Sequence, residues 1–181
     1  NATSGVSAFN QLIDINKADV VVGGGMSSVA AALAPVSKER EVVLLSPTAT
    51  LPSLSNAGKY FFRIWPSDTY DGKVIGNFAV NELNATKAAV LYINLDYGVG
   101  IKEEFNKTVK NAGIDIVFDE GYAQGATDFK TQLQKIKDAK PDLLFLPGYY
   151  QEISSILKQM NELKMDLTIL GVNSMHDEKI I

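Results

Sequence analysis

The stretch Asp19-Val20-Val21-Val22-Gly23-Gly24-Gly25-Met26-Ser27-Ser28 decides how the rest of the chain reads. Three consecutive valines favour a strand covered on both faces. Gly23 to Gly25 let the backbone turn sharply and come close to a ligand. Ser27 or Ser28 can N-cap the helix that begins with Val29-Ala30-Ala31-Ala32-Leu33. The N–H groups and positive dipole end of such a helix face whatever lies above the turn. The stretch therefore reads as strand, turn and helix around a cradle for a small anion, either a carboxylate or a phosphate.

Toward the N-terminus, residues 1–16 read as a helix burying Phe9, Leu12, Ile13 and Ile15. An α/β layer that opens on a helix, with no strand before it, reads as part of a longer chain. On that reading a missing leader says nothing about export. Toward the C-terminus the pattern alternates. Pro35 should kink or end the first helix, and residues 41–46 form a short buried strand. Ser46-Pro47-Thr48-Ala49-Thr50-Leu51-Pro52 is a loop of clustered hydroxyls, and residues 60–64 form another strand. Trp65-Pro66-Ser67-Asp68 breaks the pattern and marks a crossover between two lobes, residues 1–66 and 67–181.

Beyond it, strand and helix repeat. Val74, Ile75, Phe78, Ala79 and Leu83 share one helix face. Ile101, Phe105, Val109 and Ala112 share the next, which stops at Gly113. Asp128 can cap a helix burying Phe129, Leu133 and Ile136, and Ile153, Ile156, Leu157, Met160 and Leu163 line the last one. Strands at residues 88–95, 114–118, 142–146 and 167–170 separate these helices. Such spacing implies parallel sheets with right-handed crossovers. In such sheets ligands bind beyond the carboxyl ends of the strands. Here those ends carry Gly23 to Ser28, Ser46 to Thr50, Asp96-Tyr97-Gly98, Gly148-Tyr149-Tyr150 and Gly171 to Asn173.

Composition limits the chemistry. The 181 residues can bury a real core, as one large domain or two small ones. A net charge of −4 argues against nucleic acid as a partner. With no cysteine, thiolate metal sites and cysteine nucleophiles are excluded, and the single histidine, His176, rules out multi-histidine metal sites. No apolar run approaches the ~20 residues that span a bilayer. Gly23-x-Gly25-x-x-Ser28 is one residue off the dinucleotide fingerprint. The next strand, however, ends in Ser46-Pro47 rather than in an acid for the ribose. No Gly-Lys-Ser/Thr follows the glycines, so a P-loop is excluded. Ser27 lacks a nucleophile elbow, and no paired carboxylates stand at a catalytic spacing. Binding is what is left. Ser27 and the helix N–H groups can take a carboxylate, Thr50 can add a hydroxyl, and Tyr97 and Tyr149 can each offer an apolar face and one hydroxyl.

At these residues the chain resembles the branched-chain amino acid substrate-binding proteins of ABC transporters, which are type I periplasmic binding proteins. The resemblance runs the whole length. It rests on Val22-Gly23-Gly24-Gly25-Met26-Ser27-Ser28, on residues 45–52, on Phe62-Arg63 and on Asp96-Tyr97-Gly98-Val99-Gly100. It continues in Gly125-Ala126-Thr127-Asp128-Phe129 and Pro147-Gly148-Tyr149-Tyr150-Gln151-Glu152. It implies two Rossmann-like, flavodoxin-like lobes joined by a hinge and closing on a ligand, the first lobe incomplete here. It also implies a periplasmic or extracellular, monomeric carrier with no cofactor and no catalysis, partnered by a membrane permease. By match to the pattern, Ser27 and Thr50 hold the ligand's carboxylate and amino groups with backbone help from Thr48. Tyr97 and Tyr149 come from the second lobe, and Met26 and Trp65 wall the pocket. At Asn173 the family usually carries Asp or Glu to pair with the ligand's ammonium. The amide points to a ligand without one, such as a keto, hydroxy or aromatic acid, unless Asp177 takes the role. A ligand-binding sensor and a dinucleotide enzyme are the competing readings.

Overall fold

The structure, a computed structural model, describes residues 1–175. His176 and Asp177 lie outside the described residues. The elements run α1 (Ala2–Asp14), β1 (Val20–Val22), α2 (Ser27–Arg40), β2 (Val43–Ser46), β3 (Phe61–Arg63), α3 (Asp68–Asn81) and β4 (Lys87–Ile93). They continue α4 (Asp96–Asn111), β5 (Asp115–Tyr122), α5 (Lys130–Ala139), β6 (Leu143–Phe145), α6 (Tyr150–Glu162) and β7 (Thr168–Leu170), with 3-10 turns at Pro52–Asn56 and Asn173–Met175. Among the described residues every strand pairing is parallel, in two sheets ordered β1-β2-β3 and β5-β4-β6-β7. This is the α/β layering the alternation predicts. The chain divides into two compact units, Asn1–Tyr70 and a second from Asp71 on.

In the first unit, α1 packs against α2, and both feed a core of Phe9, Val21, Ala30, Leu33, Leu44, Leu54 and Phe61. The valine run is not covered on both faces as expected. Val21 is 7% exposed, but Val20 and Val22 are 57% and 68% exposed, and Phe62 and Ile64 lie open too. Successive strand residues point to opposite faces, so helices cover only one face of this sheet among the described residues. Leu12 on α1 and Ile15 at its C-cap are also exposed rather than buried.

α2 runs unbroken through Pro35, against expectation. Proline removes one hydrogen bond and strains the preceding turn, but packing overrides it here. Ala30, Leu33, Ala34 and Ser37 are all buried. The Ser37 hydroxyl sits 2.7 Å from the Val42 carbonyl and 3.3 Å from that of Tyr60, tying down the last turn. At the other end Gly24 has φ +67°, and a Cβ there would meet the Ala30 backbone at 3.1 Å. Only glycine lets strand and helix approach so closely.

In the second unit, four successive residues of β4, Ala88 to Leu91, are wholly buried, so this sheet is covered on both faces. The helix faces read from spacing hold for Ile101, Phe105 and Val109, for Leu133 and Ile136, and for Ile153, Ile156 and Met160. α3 departs from its reading. Ala79 is buried, but Val74 and Phe78 are exposed. The small residues Gly72 and Gly76 face α4 instead, leaving under 3 Å for any side chain there.

Candidate functional site

In the first unit the carboxyl ends of β1 and β2 are stitched together by hydroxyls. Ser46 Oγ donates to the Gly24 carbonyl at 2.8 Å, and Thr48 Oγ1 donates to that of Gly25 at 2.9 Å. Ser27 Oγ accepts the backbone N–H of Thr50 at 3.2 Å and of Leu51 at 3.3 Å. Neither Ser27 nor Ser28 caps α2, contrary to the sequence reading. The N-cap is Met26, with no side-chain bond, and Ser27 is already helical. Its hydroxyl turns sideways because the neighbouring loop offers two N–H groups that need a buried partner.

Thr50 is bonded through its N–H, its carbonyl and its hydroxyl. Its carbonyl accepts the Asp68 N–H at 2.9 Å, and its Oγ1 donates to Asp68 Oδ2 at 2.7 Å. Asp68 begins α3 and is wholly buried. Arg63 holds the same loop, donating to the Leu51 carbonyl at 2.9 Å and to Ser55 Oγ at 2.6 Å. Burial draws its guanidinium below the ordinary value, opposed by the Asp68 carboxylate. A hydroxyl has one proton and two acceptor positions. Ser27 has both acceptor positions filled and keeps a proton to give. Thr50 has given its proton and keeps lone pairs. Ser27 and Thr50 are 3% and 6% exposed, so each presents only an edge.

In the second unit, Tyr97 lies in the first turn of α4 after β4, and Tyr149 is the N-cap of α6 after β6. The strands are neighbours, so the rings stack with centroids 5.6 Å apart and planes 15° apart. Tyr122 stands at the end of β5, edge-on to Phe129 with centroids 5.3 Å apart. Its phenol is buried without a hydrogen-bond partner among the described residues. Burial pushes this phenol well above its ordinary value, helped by the Glu152 carboxylate and then by Tyr97 and Tyr149. Glu152 is buried and accepts the Gly125 N–H at 2.8 Å. Asn173 is exposed at the start of its 3-10 turn. The Ser174 hydroxyl next to it donates to the Gly148 carbonyl, which fastens the end of β7 to the loop carrying Tyr149.

The structure thus joins Ser27 with Thr50, places Thr48 against Gly25 beside half-buried Met26, and pairs Tyr97 with Tyr149. Trp65, 41% exposed, and Asn173 are not drawn into either group by a hydrogen bond or ring contact among the described residues. Sequence reasoning missed Asp68, Tyr122 and Glu152. Asp68 follows Pro66-Ser67 at the start of a helix, where a cap is the default reading. Nothing in the sequence marks its bond to a threonine 18 residues earlier. Among the described residues no group of three or more His, Cys, Asp or Glu could hold a metal ion.

Residues 1–181 match the family described as periplasmic binding protein. A leucine-, isoleucine-, valine-, threonine- and alanine-binding protein of Pseudomonas aeruginosa is 30% identical over 161 residues, 88% of this chain and 43% of that protein. Among solved structures, the branched-chain amino acid transporter substrate-binding protein LivJ of Streptococcus pneumoniae, in complex with isoleucine, is 31% identical. It superposes with a TM-score of 0.89 over 99% of this chain and 51% of its own. The leucine-binding protein LivK of Thermotoga maritima is 27% identical, with a TM-score of 0.91 over 96% of this chain and 50% of its own. The chain spans about half the length of the relatives it matches.

Proposed function

This chain belongs to the periplasmic binding protein family and has its type I α/β fold, and from that premise we propose that it serves an extracytoplasmic solute-binding protein. That protein captures a small carboxylated ligand, an amino acid or a related organic acid, for an ABC importer. The observation that carries the reading is the hydroxyl edge of the first unit. Ser27, with both acceptor positions occupied, has only a proton to offer, and it offers it at the start of the 14-residue helix α2. A carboxylate is the group such an edge favours. The amino acids named for the three relatives described above support this chemistry.

In the first unit the proposed polar contacts are Ser27, Thr50 and the backbone of Thr48, with Met26 and Trp65 as apolar ones. In the second they are Tyr97, Tyr149 and Asn173. The protein acts by binding, without cofactor or catalysis, in the periplasm or at the outer surface. It is a monomer that delivers its ligand to a membrane permease, with residues 1–66 belonging to one lobe and 67–181 to the other.

A thermal-shift screen of the full-length protein tests this. Ligand at a hundredfold excess over Kd stabilises the native state by about 2.7 kcal/mol, so amino acids or small organic acids are expected to raise the melting temperature. Ser27→Ala, scored against its own ligand-free melting point, should remove most of the rise. A rise with NAD or NADP and none with any carboxylic acid overturns the proposal.

A further inference from the structure

In the second unit, α6 holds the loop between β5 and α5 with two buried polar side chains. Glu152, 2% exposed, accepts the Gly125 N–H at 2.8 Å. Gln159 lies two turns further along the same helix face. It accepts the Phe129 N–H at 2.8 Å and donates to the Thr127 carbonyl at 2.8 Å. Burying such groups is unfavourable unless these bonds are made, and apolar replacements of similar volume are often neutral or stabilising. Helix packing alone therefore gives no reason for them. What they fix is a loop at the surface, where Gln124, Gly125, Thr127 and Asp128 are all exposed. Between this loop and α6 lies a groove of about 280 Å³, lined by Thr127, Asp128, Lys130, Ser155, Lys158 and Glu162 beside Gln159. Its charges are unevenly committed. Glu162 pairs with Lys130 at 3.8 Å, and Asp128 accepts the Lys130 N–H at 3.1 Å. Lys158 is exposed and has no ion-pair partner among the described residues.

Resting on the reading of this protein as a carrier that delivers to a membrane permease, we propose that the groove is a docking surface for that permease. Lys158 receives an acidic side chain from a permease loop. The occupant is a polypeptide rather than a free anion, because five of the six lining side chains are exposed. A lone exposed ion pair contributes little. It gains strength only when a larger contact surrounds it and excludes water. The bonds from Glu152 and Gln159 order the loop beforehand, so docking does not bear that entropy.

The test uses the full-length protein with its own importer in lipid nanodiscs, and reads ATP hydrolysis against carrier concentration. Calorimetry separately gives the affinity for whichever acid raises the melting temperature most in the thermal-shift screen. Lys158→Glu is expected to raise the half-saturating carrier concentration about tenfold, because like charges then face each other. It should leave the affinity for that acid unchanged. Lys158→Arg should dock like wild type. Lys107→Glu, the same charge change on α4, should have no effect. Gln159→Leu should also raise half-saturation, and should quicken hydrogen exchange in residues 123–129. Half-saturation unmoved by Lys158→Glu overturns the proposal, and so does an equal loss with Lys107→Glu. Acetate or phosphate alone slowing exchange in residues 123–129 would assign the groove to a small anion, which overturns it too. A carrier that binds its acid but is indifferent to Lys158 refutes the docking surface alone. One that binds no amino or organic acid refutes the solute-binding reading beneath it.

Discussion

A methyl group on residue 148 would come within 1.9 Å of the Tyr122 hydroxyl oxygen. Tyr122 has little room to retreat, because its ring stands edge-on to Phe129, which is wholly buried. Overpacking of this kind costs typically 1–3 kcal/mol. Gly148→Ala is therefore expected to lower unfolding stability by about that much, read from urea titrations at constant slope. Adding Tyr122→Phe should recover most of the loss, since it removes the atom in the way. It should also be nearly neutral alone, because the hydroxyl it removes is buried without a partner among the described residues. A Gly148→Ala variant as stable as wild type would show that the loop gives way instead. The function of this contact lies one residue on: the loop pinned at Gly148 carries Tyr149, whose ring lies on Tyr97.

Elements are tied at their amino ends as well. Asp142, just before β6, accepts the Thr86 N–H at 2.6 Å, the Thr86 hydroxyl at 2.7 Å and the Lys87 N–H at 2.8 Å, which locks the start of β4 to the start of β6. The Thr86 hydroxyl first, then the two N–H groups, hold its carboxyl below the usual carboxylate range. A carboxyl with a lower pKa folded than unfolded stabilises the native state above the unfolded value, and loses that contribution as pH falls through the folded one. Asp142→Asn should therefore cost about 1 kcal/mol at neutral pH, a modest figure because the group is exposed to solvent. The difference from wild type should fade below about pH 4, near the unfolded carboxylate value. A gap that stays constant from pH 7 to pH 2.5 would rule out the charge as its source. Such ties explain what the sequence could and could not disclose. Helix faces such as Ile101-Phe105-Val109 repeat at a spacing set by the helix itself, so they were legible. The strand ends were legible because glycines and hydroxyls cluster there. The Thr50–Asp68 bond, the sideways turn of Ser27 and the direction of the α3 stripe depend on residues far along the chain. No local pattern encodes them, and Pro35 misled because tertiary packing outweighed a local preference.

Among the described residues the two units differ in how well their sheets are covered, and that sets the order in which the 181-residue chain loosens. In the second unit Ala88 to Leu91 are all wholly buried, and Phe105, Phe129 and Phe145 fill the core. In the first, Val20, Val22 and Phe62 are exposed on a three-stranded sheet, as is Ile64 just past β3. Each fully buried aliphatic or aromatic side chain contributes about 1.5–3 kcal/mol over an exposed one, so the first sheet lacks stabilisation that the second has on both faces. Backbone amides open with free energies that follow this local burial. Hydrogen exchange by mass spectrometry on the 181-residue chain should therefore show peptides from β1 to β3 exchanging well before peptides from β4 and β6. Ser27, Thr50 and Asp68 all belong to the weaker unit, so a ligand held there should slow the first set far more than the second. Equal protection in both sets without ligand would mean that the open face of the first sheet costs nothing. Slowing confined to β4 and β6 with ligand would move the carboxylate site away from Ser27 altogether.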